Sequence, residues 1–578
     1  MPRRLVFALT LALIARPATA QIIREPGANG SLGGDTLSPN GMGRRAQAEF
    51  ERFRRMHLPG APHSRPSNCD ERVGRFCYWY VESPLPKEPQ AITDARDRLN
   101  AQLDSLAKTA VDDRWLSGQR VRYLAEAERY GDALTAAREC RVGGWWCEIL
   151  SGFSLHLLGD YAAAESVYDS AISKMLGRDQ CEWRSIELLI DEDTRQQYRR
   201  NPCGDPKRTA FEQEVWFLSR TLYGTRGNDS RTEYFARMTM SAMLKDAPSQ
   251  HQFGFDDDER ELTLRFGWPR AWGSEGTDRA TGQLQVVGME AVPAYRYVPP
   301  GFVVNNPPLS DSTNWRLQLP PVIARYAPPY ARVLKPLEHQ KAMFKRGDSA
   351  LVVLAYDSRT MKELADSPLK AALVLAASDK PRAWSVVQTA APAQGVLTLK
   401  APWAPLLMSA EVSASEKHAV ARARYGVQPP YAIGTRVVLS DLLFYKPFGT
   451  FPATAEEAAP HAHPTERLRA DEKLGVFWES YGTDPSGETM TVSLTVVQEV
   501  EESGFLRRQA KALKLVRQAT PVSVAVTDMS ARGSTTSPRA IELDISTLKK
   551  GSYIVQLEVT VAGQYVVRAD HRIEIVGP

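Results

Sequence analysis

The sequence predicts a multidomain α+β protein with a helical N-terminal part, a mixed central segment and two C-terminal antiparallel β-sandwiches. Its 578 residues exceed what one hydrophobic core supports, so several domains are expected. Apolar residues recur every three to four positions from about residue 88 to 245, which is typical of amphipathic helices. From about residue 346 the apolar runs are short and bounded by Gly, Pro, Asp and Ser, which is typical of strands.

The first 20 residues resemble a secretory signal peptide. Arg3 and Arg4 precede an apolar run at 5–15, and Ala18-Thr19-Ala20 supplies a small-x-small cleavage signal. The run is shorter than the roughly 20 apolar residues that cross a bilayer, and no later apolar segment is long enough. We therefore expect an exported protein, periplasmic or secreted, without a membrane span.

The charge of the chain argues against a polyanionic partner. Removing residues 1–20 takes away three arginines and no acid, which lowers the formal net charge from +4 to +1. A nearly neutral protein has no long-range field that attracts nucleic acid or anionic lipid. We expect a protein or peptide partner and no nucleic acid.

The six cysteines cluster in one third of the chain and predict disulfides, because an exported protein folds in an oxidising compartment. Several pairings remain open. Local spacing favours three short-range pairs: Cys69 with Cys77, Cys140 with Cys147, and Cys181 with Cys203. Metal-binding CxxC pairs and the haem-attaching CxxCH motif are absent, so a free reactive thiol is the main alternative.

Residues 21–65 are predicted to be disordered, with a short helix at 46–58, because they are rich in Gly, Pro, Ser and Arg. Residues 66–245 are predicted to form a helical domain stapled by the disulfides. Segments 91–110 and 120–140 carry the helical period most clearly.

The stretch GWWCEILSGFSLHLLGDYAAAESVYDSAI at 144–172 resembles a tetratricopeptide repeat. Small residues stand where two helices cross or turn, and rings fill the gap between them. The packing positions are Gly152, Gly159, Tyr161, Ala164, Tyr168 and Ala171. A degenerate copy of the Gly-Asp turn occurs at 130–140. The resemblance implies a helical hairpin whose concave face binds a peptide or protein.

A second resemblance covers about 60 residues that follow this hairpin. The chain carries an ordered set of residues: Trp216, Asn228, Glu233, Arg237, Gly267 and Pro269. In spacing, this set resembles the GWxTD-domain proteins, which are exported bacterial proteins of unknown activity. The Gly-Trp-x-Thr-Asp string itself does not occur in the chain. The resemblance implies no catalytic residues.

Residues 246–345 are predicted to form a mixed central segment. The acidic run 256–259 reads as a solvated turn between a helix and a strand at 261–272. Repeated prolines at 293–336 forbid a regular helix and predict an extended connector that wraps the next domain. A ligand for an aromatic groove is the alternative.

Two β-sandwiches are predicted to complete the chain, at 346–446 and 471–578, joined by a linker at 447–470. The turn at 547–553, which enters a strand at Tyr553, resembles the tyrosine corner of immunoglobulin-like modules. That resemblance implies a buried ring whose hydroxyl bonds nearby backbone.

No catalytic, metal-binding or cofactor-binding motif is found in the sequence. Serine-hydrolase elbows, zinc-protease helices, phosphate-binding glycine loops and EF-hand loops are all absent. His461 and His463 form a close pair without a third ligand, and the run 256–259 lacks the alternation that Ca²⁺ binding needs. We therefore expect no catalytic residues, metal or cofactor.

These observations predict a noncatalytic exported scaffold or interaction protein that binds a peptide or protein through its helical domain. The alternative is a periplasmic or secreted hydrolase with a dispersed active site, in which His251 or His156 acts as the base.

Overall fold

The structure is a computed structural model that describes residues 38–577 except 62–68, 80–84, 248–253, 278–283, 317–322, 378–382, 432–435, 500–521 and 562–564. The predicted signal peptide at 1–20 lies outside the described residues. The chain is mixed α+β, with its long helices in the N-terminal part and most of its strands in the C-terminal part. No helix of the described residues combines the length and apolarity needed to cross a membrane.

The N-terminal part is a succession of helices with one short hairpin, β1 (Glu71–Val73) and β2 (Phe76–Tyr78). The helices are α1 Pro39–Met56, α2 Gln90–Thr109, α3 Arg114–Glu126, α4 Tyr130–Glu139, α5 Trp146–Leu157, α6 Tyr161–Ser173, α7 Gly177–Arg184, α8 Glu192–Arg199, α9 Pro206–Ser219, α10 Asp229–Leu244 and α11 Asp257–Phe266. From α1 to α6 each helix packs on the next, and α10 packs against α3, α5 and α6. Because α10 crosses these helices, it is buried along most of its length.

Helix α1 includes most of the short helix predicted at 46–58 and begins earlier, so residues 39–45 are helical where disorder was expected. Its polar side chains Gln47, Glu51 and Arg54 are buried against α3. The Arg54 guanidinium donates to Glu126 at 2.7 Å, and the Tyr123 hydroxyl donates to Glu51 at 2.6 Å. The composition is polar because this helix packs through a charged network as well as through Phe50, which lies in an apolar cluster with α2 and α3.

Acid is expected to loosen the docking of α1. Burial alone would raise the pKa of Glu126, but Arg54 and Arg122 outweigh it and lower that pKa to about 2. A carboxyl with a depressed folded-state pKa stabilises the fold fully above its unfolded value of about 4.3 and loses this contribution as pH falls towards 2. The protection factors of the α1 amides in hydrogen exchange, which correct for the intrinsic effect of pH, should therefore fall between about pH 4 and 2. Glu126→Gln should exchange faster at neutral pH but respond less to acid; an equally steep acid response in that variant would contradict the assignment.

All six cysteines are paired, as Cys69–Cys77, Cys140–Cys147 and Cys181–Cys203. These are the pairs that local spacing favours. The second bridge ties the end of α4 to the start of α5, and the third spans from α7 to the turn before α9. Closing such short loops stabilises the fold by roughly 2.5–3.5 kcal/mol each in the chain-entropy account.

The predicted strand at 261–272 is wrong over most of its length, because residues 257–266 form α11. The Asp256 side chain accepts from the Glu259 amide, and the Glu259 side chain accepts from the Asp256 amide, which is a capping box. Acids in the first turn also favour a helix through its dipole. The acidic run therefore begins a helix instead of ending one.

The central segment contains short strands and the proline-rich connector. The elements are β3 Ala271–Thr277, β4 Leu284–Met289, β5 Tyr295–Arg296, α12 Gly301–Asn305, β6 Arg325–Tyr326 and β7 Val333–Pro336. The connector is not extended throughout, since α12 and two 3₁₀ turns interrupt it. It packs into the helical core through Tyr297, Val303 and Trp315, and it reaches the next sheet where β7 pairs in parallel with β14 (Ala419–Val427).

Two sheets follow and share one apolar core. Their strands are β8 Glu338–Arg346, β9 Ser349–Asp357, β10 Leu369–Ala376, β11 Ala383–Ala391, β12 Gln394–Pro402, β13 Leu406–Ala414 and β14 Ala419–Val427. One sheet has the order β11-β10-β13-β14-β7 and the other β12-β9-β8. Val352 of β9 and Leu373 of β10 meet in the core between them. The unit therefore starts at β7, before the predicted boundary at 346.

The last two sheets contain β15 Val438–Leu439, β16 Leu443–Tyr445, β17 Arg467–Arg469, β18 Lys473–Tyr481, β19 Thr489–Gln498, β20 Val522–Met529, β21 Thr536–Asp544, β22 Gly551–Val561 and β23 Val567–Val576. The orders are β15-β18-β16, with β21 also on β18, and β17-β23-β22-β19-β20. Strands β15 and β16 were expected in the first β unit, but both pair with β18. The Tyr553 ring is buried and its hydroxyl donates to the Lys549 carbonyl at 2.8 Å.

The segment 447–470 is packed rather than a free linker. It forms α13 Ala455–Ala458, a 3₁₀ turn and β17. Ala455 and Ala458 are buried in an apolar cluster with Phe344 of β8 and Phe477 of β18. Small side chains let this turn fit between the two β units, which the composition alone did not indicate.

Candidate functional site

An open cleft, here called the helical cleft, lies between α6, α7, α9 and α10 and has a volume of about 750 Å³. That size falls within the usual range for binding pockets in proteins. Its lining comprises Glu165, Asp169, Ile172, Ser173, Gln180, Arg184, Thr209, Glu212, Gln213, Trp216, Phe217, Arg220, Gly227, Asn228, Arg231 and Phe235. The cleft is on the helical domain, where the repeat-like hairpin predicts a binding face.

The floor of the helical cleft is apolar and aromatic. Ile172, Trp216 and Phe235 are buried, and Phe217 is half-buried and stacks on Tyr223 with ring centroids 4.8 Å apart. An aromatic floor offers large contact area at low cost in side-chain entropy.

The rim of the helical cleft carries both signs of charge. Arg231 of α10 donates to Glu165 at 3.0 Å and to Asp169 at 3.2 Å, which links α10 to α6. Across the cleft, Arg184 lies 3.3 Å from Glu212. Asp169 is about half-exposed, so the pairing with Arg231 contributes little stability and a ligand can displace it.

The repeat-like packing residues form the wall behind this cleft. Gly152 of α5 faces the ring of Tyr168 on α6, where an added Cβ would lie 3.0 Å from the ring. Ala164 and Ala171 are fully buried on the same helix, and Tyr161 is buried at its start. Gly159 holds the turn between the two helices with φ of +80°. The small residues therefore allow the close approach of α5 and α6.

The described residues of the proline-rich connector, 293–316 and 323–336, do not line the helical cleft. They pack on the far side of Trp216, where the Tyr297 ring lies 6.3 Å from the indole ring. The Tyr297 hydroxyl donates to the Ser230 carbonyl at 2.7 Å. This part of the connector therefore supports the floor of the cleft from behind.

The GWxTD-like residues lie in and around a buried polar network at the centre of the helical domain. Arg237 donates to Glu233 at 2.7 Å, to the Leu264 carbonyl at 3.0 Å and to the Arg325 carbonyl at 2.8 Å. Gly267 lies beside this guanidinium, since an added Cβ would be 3.5 Å from it. One side chain thus joins α10, the end of α11 and β6.

The remaining GWxTD-like residues lie at the ends of elements. The Asn228 amide donates to the Trp216 carbonyl at 2.8 Å, and its side-chain oxygen caps α10. Pro269 packs against Gly288 of β4. These contacts position backbone, and Trp216 and Asn228 also line the helical cleft.

Glu233 also contacts His156, whose Nε2 lies 2.8 Å from the Glu233 carboxylate and whose Nδ1 lies 3.0 Å from the Thr232 hydroxyl. Burial alone would raise the pKa of Glu233, but Arg237 and His156 outweigh it and hold that pKa well below its usual range. The carboxylate is therefore ionised and balances the buried guanidinium.

This acid–histidine–hydroxyl arrangement does not favour the hydrolase alternative. Thr232 is fully buried, and the side chains of His156 and Glu233 are 3% and 8% exposed. A nucleophile must reach the substrate carbonyl, and a hydroxyl enclosed in the core cannot. His251, the other candidate base, lies outside the described residues.

The residues considered as metal ligands from the sequence are His461, His463 and the acidic run 256–259. Among the described residues, no group of three or more His, Cys, Asp or Glu is arranged to hold a metal. His461 stacks on Phe448 with centroids 3.8 Å apart. Burial and the nearby Lys446 lower the pKa of His463 to about 4. Asp256 and Glu259 serve as the cap of α11.

The cleft residues were not singled out by sequence reasoning, apart from Trp216 and Asn228. Arg231 and Glu165 are 66 positions apart and meet only because α10 packs on α6. No local motif marks such a pair. The only available signal is the repeat-like hairpin, which indicates a binding face without naming its opposite wall.

No protein-family model and no curated protein matches the chain. Matches among solved structures include the crystal structure of red sea bream transglutaminase. That match has 10% sequence identity and a TM-score of 0.14, and it covers 42% of this chain and 32% of that chain. A TM-score this low supports no inference about fold or activity.

Proposed function

We propose that the protein is an exported, noncatalytic interaction protein that binds a peptide segment of its partner in the helical cleft. The observation that carries the proposal is the open cleft of about 750 Å³ with an aromatic floor and a rim of both charge signs. A rim of both signs complements a zwitterionic chain better than a polyanion. The signal-like residues 1–20 and the three disulfides support an oxidising compartment.

A peptide suits this cleft because its side chains provide apolar anchors and charges together. Aromatic pockets hold anchor residues of a helix or strand, and flanking charges set the register. The Arg231 pairs with Glu165 and Asp169 are partly exposed, so they exchange for ligand contacts at small cost.

Filling the cleft should abolish peptide binding. Ser173 lines the cleft and is exposed, so Ser173→Trp places an indole in the opening without removing a packed side chain. Peptides are first selected on the wild-type protein from a random library displayed on phage, and their affinity is measured by fluorescence anisotropy. We expect Ser173→Trp to weaken binding at least about tenfold, as loss of a well-packed anchor does.

The matched control is Ser170→Trp, which changes an exposed residue of the same helix that does not line the cleft. It should bind the selected peptides like the wild type. The proposal fails if no peptide is enriched, or if the enriched peptides bind Ser173→Trp with unchanged affinity.

A further inference from the structure

The turn after α9 docks on the first pair of sheets through a buried charged network. The Arg424 guanidinium of β14 donates to the Arg220 carbonyl at 2.8 Å and to the Thr221 carbonyl at 3.2 Å. Glu411 of β13 accepts from the Tyr223 amide at 2.8 Å and from the Gly224 amide at 2.9 Å. The side chains of Arg424 and Glu411 are 1% and 4% exposed. The interface therefore holds charge at the junction of the helical and β parts.

Beside this junction is a small pocket with an excess of positive charge. Its volume is about 30 Å³, room for roughly two water molecules or one small ion. The pocket is lined by five arginines and by no aspartate or glutamate: Arg220, Arg296, Arg316, Arg422 and Arg424. The amide residue Asn314 and the indole of Trp315 complete the wall on the connector side.

Two of these guanidinium groups each have one nitrogen without an acceptor among the described residues, although a terminal nitrogen of Arg220 donates to the Tyr223 carbonyl at 3.2 Å. The buried Nε atoms of Arg220 and Arg296 have no hydrogen-bond partner there. Arg296 is half-buried, and burial lowers its pKa. Burial and the neighbouring Arg424 lower the pKa of Arg422 to about 9. An unpaired cation taken out of water is costly, so this arrangement calls for a counter-charge.

The nearby carboxylates are already engaged. Glu411 binds two backbone amides and the Ser409 hydroxyl, the last at 2.7 Å. Asp191, whose charge acts on Arg296, accepts from the Thr194 amide at 2.9 Å and from the Gly301 amide at 2.9 Å. Neither acid lines the pocket. Glu411 also pairs with Arg424 at 3.4 Å and balances its charge, whereas the other four lining arginines have no carboxylate on the pocket wall.

We infer that this pocket binds a small divalent oxyanion of the phosphate or sulfate class. The lining arginines lie just after α9, in the connector and on β14. Guanidinium groups placed on several sides suit a tetrahedral anion, because its oxygen atoms accept hydrogen bonds in several directions. The size of the pocket excludes a nucleotide. Since the lining comes from three parts of the chain, the bound anion joins the helical domain, the connector and the first β unit. This inference does not depend on peptide binding in the helical cleft.

The test is calorimetric titration of the full mature chain with sodium phosphate and with sodium sulfate, using sodium acetate at matched ionic strength as the reference. We expect saturable binding of phosphate or sulfate and a rise in melting temperature as the anion approaches saturation. Arg296→Gln should weaken this binding at least about tenfold, which corresponds to one charge-assisted hydrogen bond. Without the anion, Arg296→Gln should melt at or above the wild-type temperature, because it removes an unpaired cation.

The matched control is Arg178→Gln, which removes the charge of an exposed arginine on α7 that does not line the pocket. It should bind the anion like the wild type. Sulfate and phosphate stabilise many proteins without a site, so the deciding quantity is the difference between the two variants. The inference is overturned if the wild type shows no saturable binding, if acetate binds equally well, or if Arg296→Gln and Arg178→Gln behave alike.

Discussion

Replacing Arg237 with methionine is expected to lower the free energy of unfolding of the helical domain by about 3–5 kcal/mol. The guanidinium is 2% exposed, and its loss leaves the Glu233 charge without its main cation. It also leaves the Leu264 and Arg325 carbonyls without this donor and removes a contact over the Tyr297 ring at 4.7 Å. A urea titration followed by far-ultraviolet circular dichroism measures the loss.

Two further variants test whether the loss of stability comes from the Arg237 network or from the removal of any positive charge. Arg178→Met removes an exposed arginine on α7 and should stay within about 0.5 kcal/mol of the wild type. Arg237→Lys keeps the charge but not the fork, so its stability should fall between those of the wild type and Arg237→Met. A loss below about 1 kcal/mol in Arg237→Met would show that the network does not hold the domain together.

Replacing Gly426 with alanine is expected to destabilise the protein by about 2–3 kcal/mol and to release the connector. An added Cβ would overlap the backbone carbonyl of Pro308, which has no rotamer by which to move away. The Gly426 amide also donates to the Ser310 carbonyl at 2.7 Å. Thermal unfolding measures the stability, and limited proteolysis followed by mass spectrometry locates new cleavage between α12 and β6.

Gly131 provides the control for this substitution. It lies in α4 with no atom within 4 Å of an added Cβ, so Gly131→Ala should be neutral or stabilise by up to about 1 kcal/mol. If Gly426→Ala has the same melting temperature as the wild type and its connector stays resistant to protease, the docking of the connector on β14 is not needed for stability.

The parts of the fold that sequence could predict are those set by local spacing. The three disulfides close loops of 7, 8 and 22 residues, so neighbouring cysteines were the natural partners. The mixed α+β class follows from the change of apolar period, which each element carries in its own residues. The tetratricopeptide-like and immunoglobulin-like resemblances stay predictions.

The predictions that failed concern elements whose structure depends on contacts between distant segments of the chain. Helix α1 has a polar composition, and both the packing of Phe50 in an apolar cluster and its charged contacts with α3 make it part of the core. In α11, the apolar alternation favoured a strand, whereas the Asp256–Glu259 capping box was a local signal that outweighed it. The helical cleft required knowing that α10 packs on α6, which no local pattern states.

The boundaries between domains were the least predictable feature. Strand β7 joins its sheet in parallel with β14, although their first residues are 86 positions apart along the chain, so the first β unit begins within the proline-rich connector. Likewise, β16 pairs with β18 instead of closing the preceding unit. Composition marks where turns occur, but pairing partners decide which unit a strand joins.

All six cysteines lie before residue 204, so a reducing agent affects the two halves of the protein differently. A reducing agent acts on the bridges of α4, α5 and α7 and has no bond to break in the strands from β7 to β23. The three bridges of the helical half therefore form only where thiols oxidise, whereas the strands from β7 to β23 contain no cysteine that such conditions would change.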